Sequence, residues 1–432
     1  MAAFGSLLAG VTGLNTNQQM LDVVGNNLAN SNTTAYKGQS ISFEDLFYQT
    51  LQPATPSTQV AGGTDPIQVG FGTKMGTIQN NLAQGTLQPT GNDLDMGLQG
   101  AGYFQESDGA NTFFTRAGSF TVDSSGFLRD PSTGFNVLRF GNVGEPSAAG
   151  VGFQVAGDPR IQIPFGSSTP GQVTANLSLQ GNLDATAALG TTVPTAIQIF
   201  DSKGTGHTLT MTFTKTANAD PTQTPPTGDQ WTVSASVPPS EGTVTGTLGP
   251  ITFNSDGSPA SFGSTSLALD FSASGASATQ TINFNLGTAS GFAGLTEFGG
   301  NSTAAATNQD GFASGTLTSV SIGKDGVIKG VFTNGKVTPL AQLAIADFSN
   351  PGGLARQGNN LYTATTQSGQ PLVGVGGSAG RGEVQQGVLE QSNVDVAAAF
   401  TQLIIAQRGY EVNARTITVS DQVLQDLTQI IR

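Results

Sequence analysis

Cysteine is absent from all 432 residues, and histidine occurs once, at His207. The first absence excludes disulfides, thiolate nucleophiles and Cys-ligated metal, and the second leaves no second imidazole for a catalytic dyad or a two-histidine metal site. Charge is also scarce. Asp, Glu, Lys and Arg make up 10% of the chain, against roughly a quarter in ordinary soluble domains. Only 16 residues are Lys or Arg, and the net charge is −13, so counterion release from a phosphate backbone is not available and a nucleic acid partner is discarded. No stretch reaches the roughly 18 apolar residues of a membrane span, so no membrane insertion is expected. No basic residue precedes Lys37, which argues against a cleaved secretory signal. The expected surface is therefore rich in Ser, Thr, Asn, Gln and Gly, suited to many weak, short-range polar contacts.

What the chain does have is a seven-residue beat at both ends. Val396, Leu403, Tyr410, Ile417, Leu424 and Ile431 recur at that spacing, with Gly409 the one glycine and no proline among them. Leu7, Leu14, Leu21 and Leu28 keep the same spacing near the N-terminus, flanked by Phe4, Val11 and Val24. Both patterns predict long helices with a packing seam. In the C-terminal one, Ala399, Ala406, Ile405, Val412, Val419, Val423, Leu427 and Ile430 widen the apolar arc to roughly 160° at 100° per residue, more than one partner helix covers. If the two terminal helices meet, everything between them is looped out, and the domains are nested rather than strung in series.

The segment after the first helix, "NNLANSNTTAYKG", carries a family signature. Asn26, Asn27, Leu28, Ala29, Asn30, Thr33, Tyr36 and Lys37 stand where bacterial flagellar rod and hook proteins have an Asn-Asn-aliphatic-Ala-Asn run followed by Thr, an aromatic and Lys, and the stretch resembles that family. The family usually has Gly where this chain has Ala35, so a less left-handed turn is expected there. "QGTLQPTGNDLDMGLQGAGYF" (84–104), "FFTRAGSFTVDSSGFL" (113–128), "NPGGLARQGNNLYTAT" (350–365), "GVLEQSNVD" (387–395) and "LIIAQRGYEVNARTITVSDQVLQDL" (403–427) are similar to further segments of it.

Between these lie regions read from pattern alone. Pro53, Pro56 and Pro66 among Thr, Gly and Gln suggest an extended connector over 32–76. Asp93 and Asp95, two apart in a Gly-rich turn without a His or metal-ligand partner, are expected to cap that turn rather than do acid-base work. "TLTMTFTK", "WTVSASV" and "LALDF" alternate like strands between turn residues, predicting an inserted antiparallel β domain over 150–308 with Trp231 in its core and His207 exposed or half-buried at a turn. Asp325-Gly326 and Asn334-Gly335 predict two hairpins and so three consecutive strands. "GVGGSAG" (374–380) opens no helix and lacks the Lys-Ser or Lys-Thr ending of a phosphate loop.

The expected fold class is α+β. Its parts are paired, coiled-coil-like terminal helices (1–31 and 393–432), a connector (32–76), an inner β-rich domain (77–149 with 309–392) and the insertion. The resemblance implies no catalysis and no cofactor. It implies a self-assembling subunit of the curved hook tube, with itself, rod and hook–filament junction proteins, a cap protein and the flagellar export apparatus as partners. It also implies a flagellar location, extracellular after export without a cleaved signal. Phe4 and Leu8, four apart, resemble the short hydrophobic export signal of early flagellar substrates; both also fit a plain packing role in the helix. The alternatives are a distal rod protein with an enlarged insertion, a branch that generally lacks one, and a secreted β-rich adhesin.

Overall fold

A computed structural model describes residues 2–56, 62–146, 152–220, 222, 228–276 and 279–430. Among them the chain is mostly β, with one long helix near each end: α1 (Ala2–Ala29) and α2 (Val396–Ile430). Neither contains proline. Asp395 caps α2, its carboxylate accepting the Ala398 N–H at 3.0 Å, which suits the positive end of the helix dipole. α1 ends in a turn through Asn30–Thr34, beyond which Ala35 adopts φ +57°. The expectation of a less left-handed turn is thus corrected. Ala35 takes the glycine-like conformation at a cost of about 1–2 kcal/mol, held by burial and by its N–H on the Glu390 carbonyl at 2.7 Å.

The expected connector over 32–76 is also different in form. Gln39–Asp45 pairs with Thr73–Asn80, and Tyr48–Gln52 with Ile67–Gly70, making a long antiparallel ribbon. Cross-strand pairs Ile41/Ile78 and Phe43/Met75 and the Phe47/Phe71 stack at 4.7 Å stitch it together, and all three prolines fall outside its paired strands.

The ribbon leads into a β-rich unit whose core combines Met96, Leu98, Phe104, Phe120, Leu128, Val137, Ile161 and Ile163 with Leu317, Ile328, Leu340, Leu343, Ile345 and Val384. The two hairpins at Gly326 and Gly335 are present, with φ of +79° and +76°. In the Gly-rich turn it is Asn92 that caps, accepting the Leu94 N–H at 3.3 Å and donating to the buried Asp95 at 3.2 Å. Asp93 contributes only its backbone carbonyl, to Gln386.

Residues 176–309 form two further sheets around a second core that includes Trp231, Phe213, Phe253 and Phe271. One is an antiparallel five-stranded meander. The other departs from the antiparallel expectation: Asn176–Asp184 runs parallel to both Gln280–Asn285 and Leu295–Phe298. Gly181, at φ +123°, lies where the strand passes from one parallel neighbour to the other. His207, expected exposed or half-buried, is 3% exposed, between Asp201 (3.1 Å) and Glu241 (2.8 Å) and stacked on Phe271.

One group in the first core has a measurable consequence. Glu106 shares the face of Phe104 on its strand, is fully buried, and neither carboxyl oxygen has a partner among the described residues. Burial, helped by nearby Asp130, pushes its carboxyl up to about 8. A carboxyl raised in the folded state contributes stability that is full below its ordinary value near 4.5 and lost as pH rises through about 8. Glu106→Leu is expected to stabilise the chain by about 2 kcal/mol or more at pH 8 and by little at pH 5, read from urea midpoints at the two pH values; an equal change at both would show that Glu106 does not titrate in this range.

Candidate functional site

The features most open to interaction are the two helices, the ribbon beside them and the junction that holds them to the β-rich unit. α1 and α2 pack antiparallel. Ser6 Oγ lies 3.4 Å from Ser420 Oγ. A Cβ placed on Gly10 would stand 3.1 Å from Ile417, one on Gly13 2.8 Å from Asn413 Oδ1, and one on Gly409 would collide with Asn17 Oδ1. The interlock is reciprocal: Asn17 sits over Gly409, Asn413 over Gly13, and each Asn donates to the carbonyl four residues back on its own helix, at 2.6 and 2.9 Å. Each side-chain amide thus has a partner within the seam, and the glycines let the backbones approach closely.

The most buried row is therefore the companion of the large-residue heptad, with Ile417 the member of the large row that reaches across to Gly10. Gly10, Asn17 and Val24 lie on one helix and Ala399, Ala406, Asn413 and Ser420 on the other; Ala406 is fully buried. The large row flanks it: Leu7, Leu14, Leu21, Leu28, Leu403, Ile417 and Leu424 are half-buried, while Val396 and Tyr410 are exposed. Ile431 and the side chains of Phe4, Leu427 and Ile430 lie outside the described residues. Leu8 is 41% exposed. Of the wider arc, Ile405, Val412, Val419 and Val423 stand open to solvent, Val412 at 63%, and so does Ile404, which the arc did not include. Phe43, Phe47, Tyr48, Leu51 and Ile67 on the ribbon are exposed as well, and exposed apolar side chains gathered on neighbouring elements mark a surface for interaction.

The "NNLANSNTTAYK" segment builds the junction. Asn27 accepts the Gln39 N–H at 2.8 Å and donates to its carbonyl at 2.7 Å, clamping the ribbon's first strand to α1. Tyr36 OH meets Asn26 and Asn27, and Asn30 bridges Asn26 and Thr33. Leu28 is half-buried and Ala29 exposed. Lys37 is buried and pairs with Glu390 at 2.6 Å, also donating to the Ala83 carbonyl at 2.8 Å. Burial holds Lys37 below its ordinary value, with Glu390 opposing and Arg116 adding to the depression. Glu390 is 0% exposed and accepts further from the Gly85 N–H at 2.8 Å and Arg116 at 3.5 Å. Arg116 in turn donates to the carbonyls of Leu98 and Gly100. Asn393 completes the knot, accepting the Gly38 N–H and donating to the carbonyls of Asn81 and Ala83, each at 2.8 Å. Sequence reasoning missed Glu390, Arg116, Asn393 and the Gly/Asn interlock. A carboxylate just before the last helix and glycines at matched offsets from Asn were the available signals.

Comparison with known proteins bears on what this arrangement is. Residues 7–37 match the model described as flagella basal body rod protein, 167–312 the flagellar basal body protein FlaE D2 domain, and 385–430 the flagellar basal body rod FlgEFG protein C-terminal region. The flagellar hook protein FlgE of Borreliella burgdorferi is 34% identical over 98% of this chain and 99% of its own length. The chain belongs to the flagellar hook protein family. The hook protein FlgE of Salmonella typhimurium is 30% identical over 97% of this chain and 98% of its own length. The crystal structure of Helicobacter pylori flagellar hook protein FlgE2 shares the fold over 70% of this chain and all of its own, with a TM-score of 0.52 at 16% identity. The motif that makes the junction, Asn26 to Lys37, falls inside the first family match, and the Glu390 and Asn393 half of it inside the last.

The helix register is open to a direct check, because the chain has no cysteine of its own. A Ser6→Cys/Ser420→Cys double variant is expected to close an intrachain disulfide under mild oxidation, given Oγ atoms 3.4 Å apart. Ser6→Cys/Asp426→Cys, displaced by more than a turn, should stay reduced. Preferential closure of the second pair on non-reducing gels would overturn the register.

Proposed function

We propose that this chain is the structural subunit of a bacterial flagellar hook, a self-assembling helical tube that carries motor torque from rod to filament while bending. The observation that carries the reading is the open apolar face of the helix pair in a chain that matches hook proteins over its whole length. Val412, Val419, Ile404 and Ile405 are exposed in the single chain, and stacking copies would take their apolar area out of water. In this reading the domains are nested: 1–31 with 393–432 innermost, lining the tube as a coiled-coil-like core, then 77–149 with 309–392, then the insertion of about 150–308 outermost. The ribbon over 32–76 joins the first two layers and presents its aromatic side chains to a neighbouring copy. Tightly packed helices give torsional stiffness, and outer domains with few surface charges slide on weak contacts, which permits bending. The partners are other copies, rod and hook–filament junction proteins, a cap protein and the export apparatus, and the subunit reaches the cell exterior without a cleaved signal.

Val412→Asp separates assembly from folding. Val412 is 63% exposed, so the single chain should keep its stability, whereas a buried, unpaired carboxylate in the polymer would cost several kcal/mol. Tubes should be absent by electron microscopy at concentrations where the parent polymerises. Ile417→Asp is a poorer probe, because Ile417 packs at Gly10 within the same chain. Normal tubes from Val412→Asp would show that this face is not buried between copies.

Export is tested at Phe4 and Leu8. Replacing both by Ala should lower secretion at unchanged cellular levels, while Leu14→Ala and Leu21→Ala, in the same helix, leave secretion intact and impair assembly. Equal secretion by all variants would make Phe4 and Leu8 packing residues only.

A further inference from the structure

Between the junction and an edge strand of the β-rich unit lies a small pocket that neither the helix pair nor the Glu390 knot uses. Ala355–Gly358, the edge strand, pairs with Leu361–Thr363 in a hairpin closed by Asn359 and Asn360. Both asparagines are left-handed, at φ +50° and +60°, as a two-residue turn of this kind requires and asparagine tolerates. Asn360 donates to the Thr34 carbonyl at 2.8 Å and Arg356 donates through Nη2 to the Lys37 carbonyl, so the hairpin is tied to the turn after α1. The space left between them is a cavity of about 210 Å³ lined by Asn30, Tyr36, Arg356, Asn359, Asn360 and Tyr362.

Arg356 is held there with its charge unanswered. Its guanidinium carbon stands 5.1 Å from the centre of the Tyr36 ring and 5.8 Å from that of Tyr362, and both tyrosines are buried, so aromatic rings flank the cation. Nε is buried without a hydrogen-bond partner, and no carboxylate pairs with the guanidinium among the described residues. Lys37, whose carbonyl it binds, and Arg116 already share the one carboxylate of Glu390. A half-buried guanidinium with unmet donors favours a planar anion, since a carboxylate accepts two of its N–H groups at once. The pocket is smaller than a typical small-molecule site, but it admits the end of an Asp or Glu side chain.

We propose that this pocket is a carboxylate-binding site filled by an acidic side chain of a neighbouring copy. In the hook-subunit reading, on which this rests, copies pack side by side. Charge complementarity selects the occupant. The pocket presents a cation, while a second copy, with 29 Asp and Glu to 16 Lys and Arg, offers carboxylates that have no cation of their own. The Asn359 amide, exposed at the rim and without a hydrogen bond among the described residues, is a further donor for the same group. Guanidinium and amide together would set the register between copies by direction as well as by charge.

Tubes of the Arg356→Lys variant, assembled from a mixture of ordinary and heavy-isotope-labelled chains and treated with a water-soluble carbodiimide, test this directly, because the reagent joins an amine to a carboxylate in contact with it. Peptide mapping by mass spectrometry is expected to find the introduced amine linked to an Asp or Glu of another copy in tubes, and unlinked in dilute monomer. Asn359→Asp places a carboxylate at the rim and satisfies Arg356 within the chain. Its monomer should match or exceed the parent's urea midpoint, while the critical concentration for tubes rises about tenfold or more. That variant keeps the test decisive should Arg356→Lys fail to assemble. Tubes without a link at position 356, a link within one chain in dilute monomer, or parental assembly by Asn359→Asp would each overturn the proposal and leave the hook reading standing. Absence of tubes from the parent chain itself would overturn both.

Discussion

Everything in this chain depends on bringing its two ends to one place, and the interaction that fixes that place is the buried carboxylate of Glu390. An isolated buried carboxylate is strongly unfavourable. Here Lys37, Arg116 and the Gly85 N–H all converge on it, one group from just after α1 and two from the β-rich unit, while Glu390 itself lies just before α2. Removal of any one cation would leave the others overcommitted and the carboxylate underpaired, a situation that costs several kcal/mol. The specificity is geometric as much as energetic. Once Lys37 and Glu390 share a site, α1 and α2 emerge side by side and antiparallel, and the Gly/Asn interlock needs only to choose the register.

That interlock explains how the helices pair firmly yet keep so much apolar surface open. A seam of Leu and Ile would cover its own hydrophobic row and leave less for other partners. The seam used here is built from glycine, alanine, serine and asparagine, whose contact rests on close backbone approach and satisfied amides rather than on large side chains. Ile404, Ile405, Val412 and Val419 are thereby left outside. The same division runs through the ribbon, where cross-strand pairs hold the two strands but Phe47, Tyr48 and Leu51 still project into solvent.

The sequence made some of this legible. Seven-residue spacing located both helices, and Asp325-Gly326 and Asn334-Gly335 located two hairpins, because each is a local signal carried by adjacent residues. The phase of the helix seam was not legible. Large residues dominate any reading of hydrophobic period, while the contact row at Gly10, Asn17, Ala406 and Asn413 depends on how near the partner backbone comes, which is a property of two distant segments together. The parallel pairing of Asn176–Asp184 was hidden for the same reason, since alternation marks a strand but not its neighbour. Proline-rich composition disguised the ribbon, whose strands avoid the prolines. Ala35 is the converse case: the residue argued against a left-handed turn, and a tertiary hydrogen bond to Glu390 imposed one.

A chain with so few charges spends many of them inside. Lys37, Arg116 and Glu390 sit at the junction, Arg139 donates to Glu145 beside the first core, and within the 176–309 unit Lys215 pairs with Asp229 while Glu297 accepts from Trp231 across the two sheets. Buried ions are costly where a well-packed apolar cluster would serve, so their use at the junction, where Lys37 and Glu390 from segments far apart in sequence must meet in one register, is best understood as specification of geometry. A hydrophobic contact tolerates sliding, whereas a carboxylate with fixed donors does not. The complementary consequence lies on the surface, where hydroxyls, amides and glycines predominate. Contacts made by such a surface are short-ranged and individually weak, with little long-range attraction or repulsion to fix one separation between neighbours. Ionic contacts that fix geometry inside the chain, with short-ranged and individually weak contacts on its surface, fit the hook subunit proposed above.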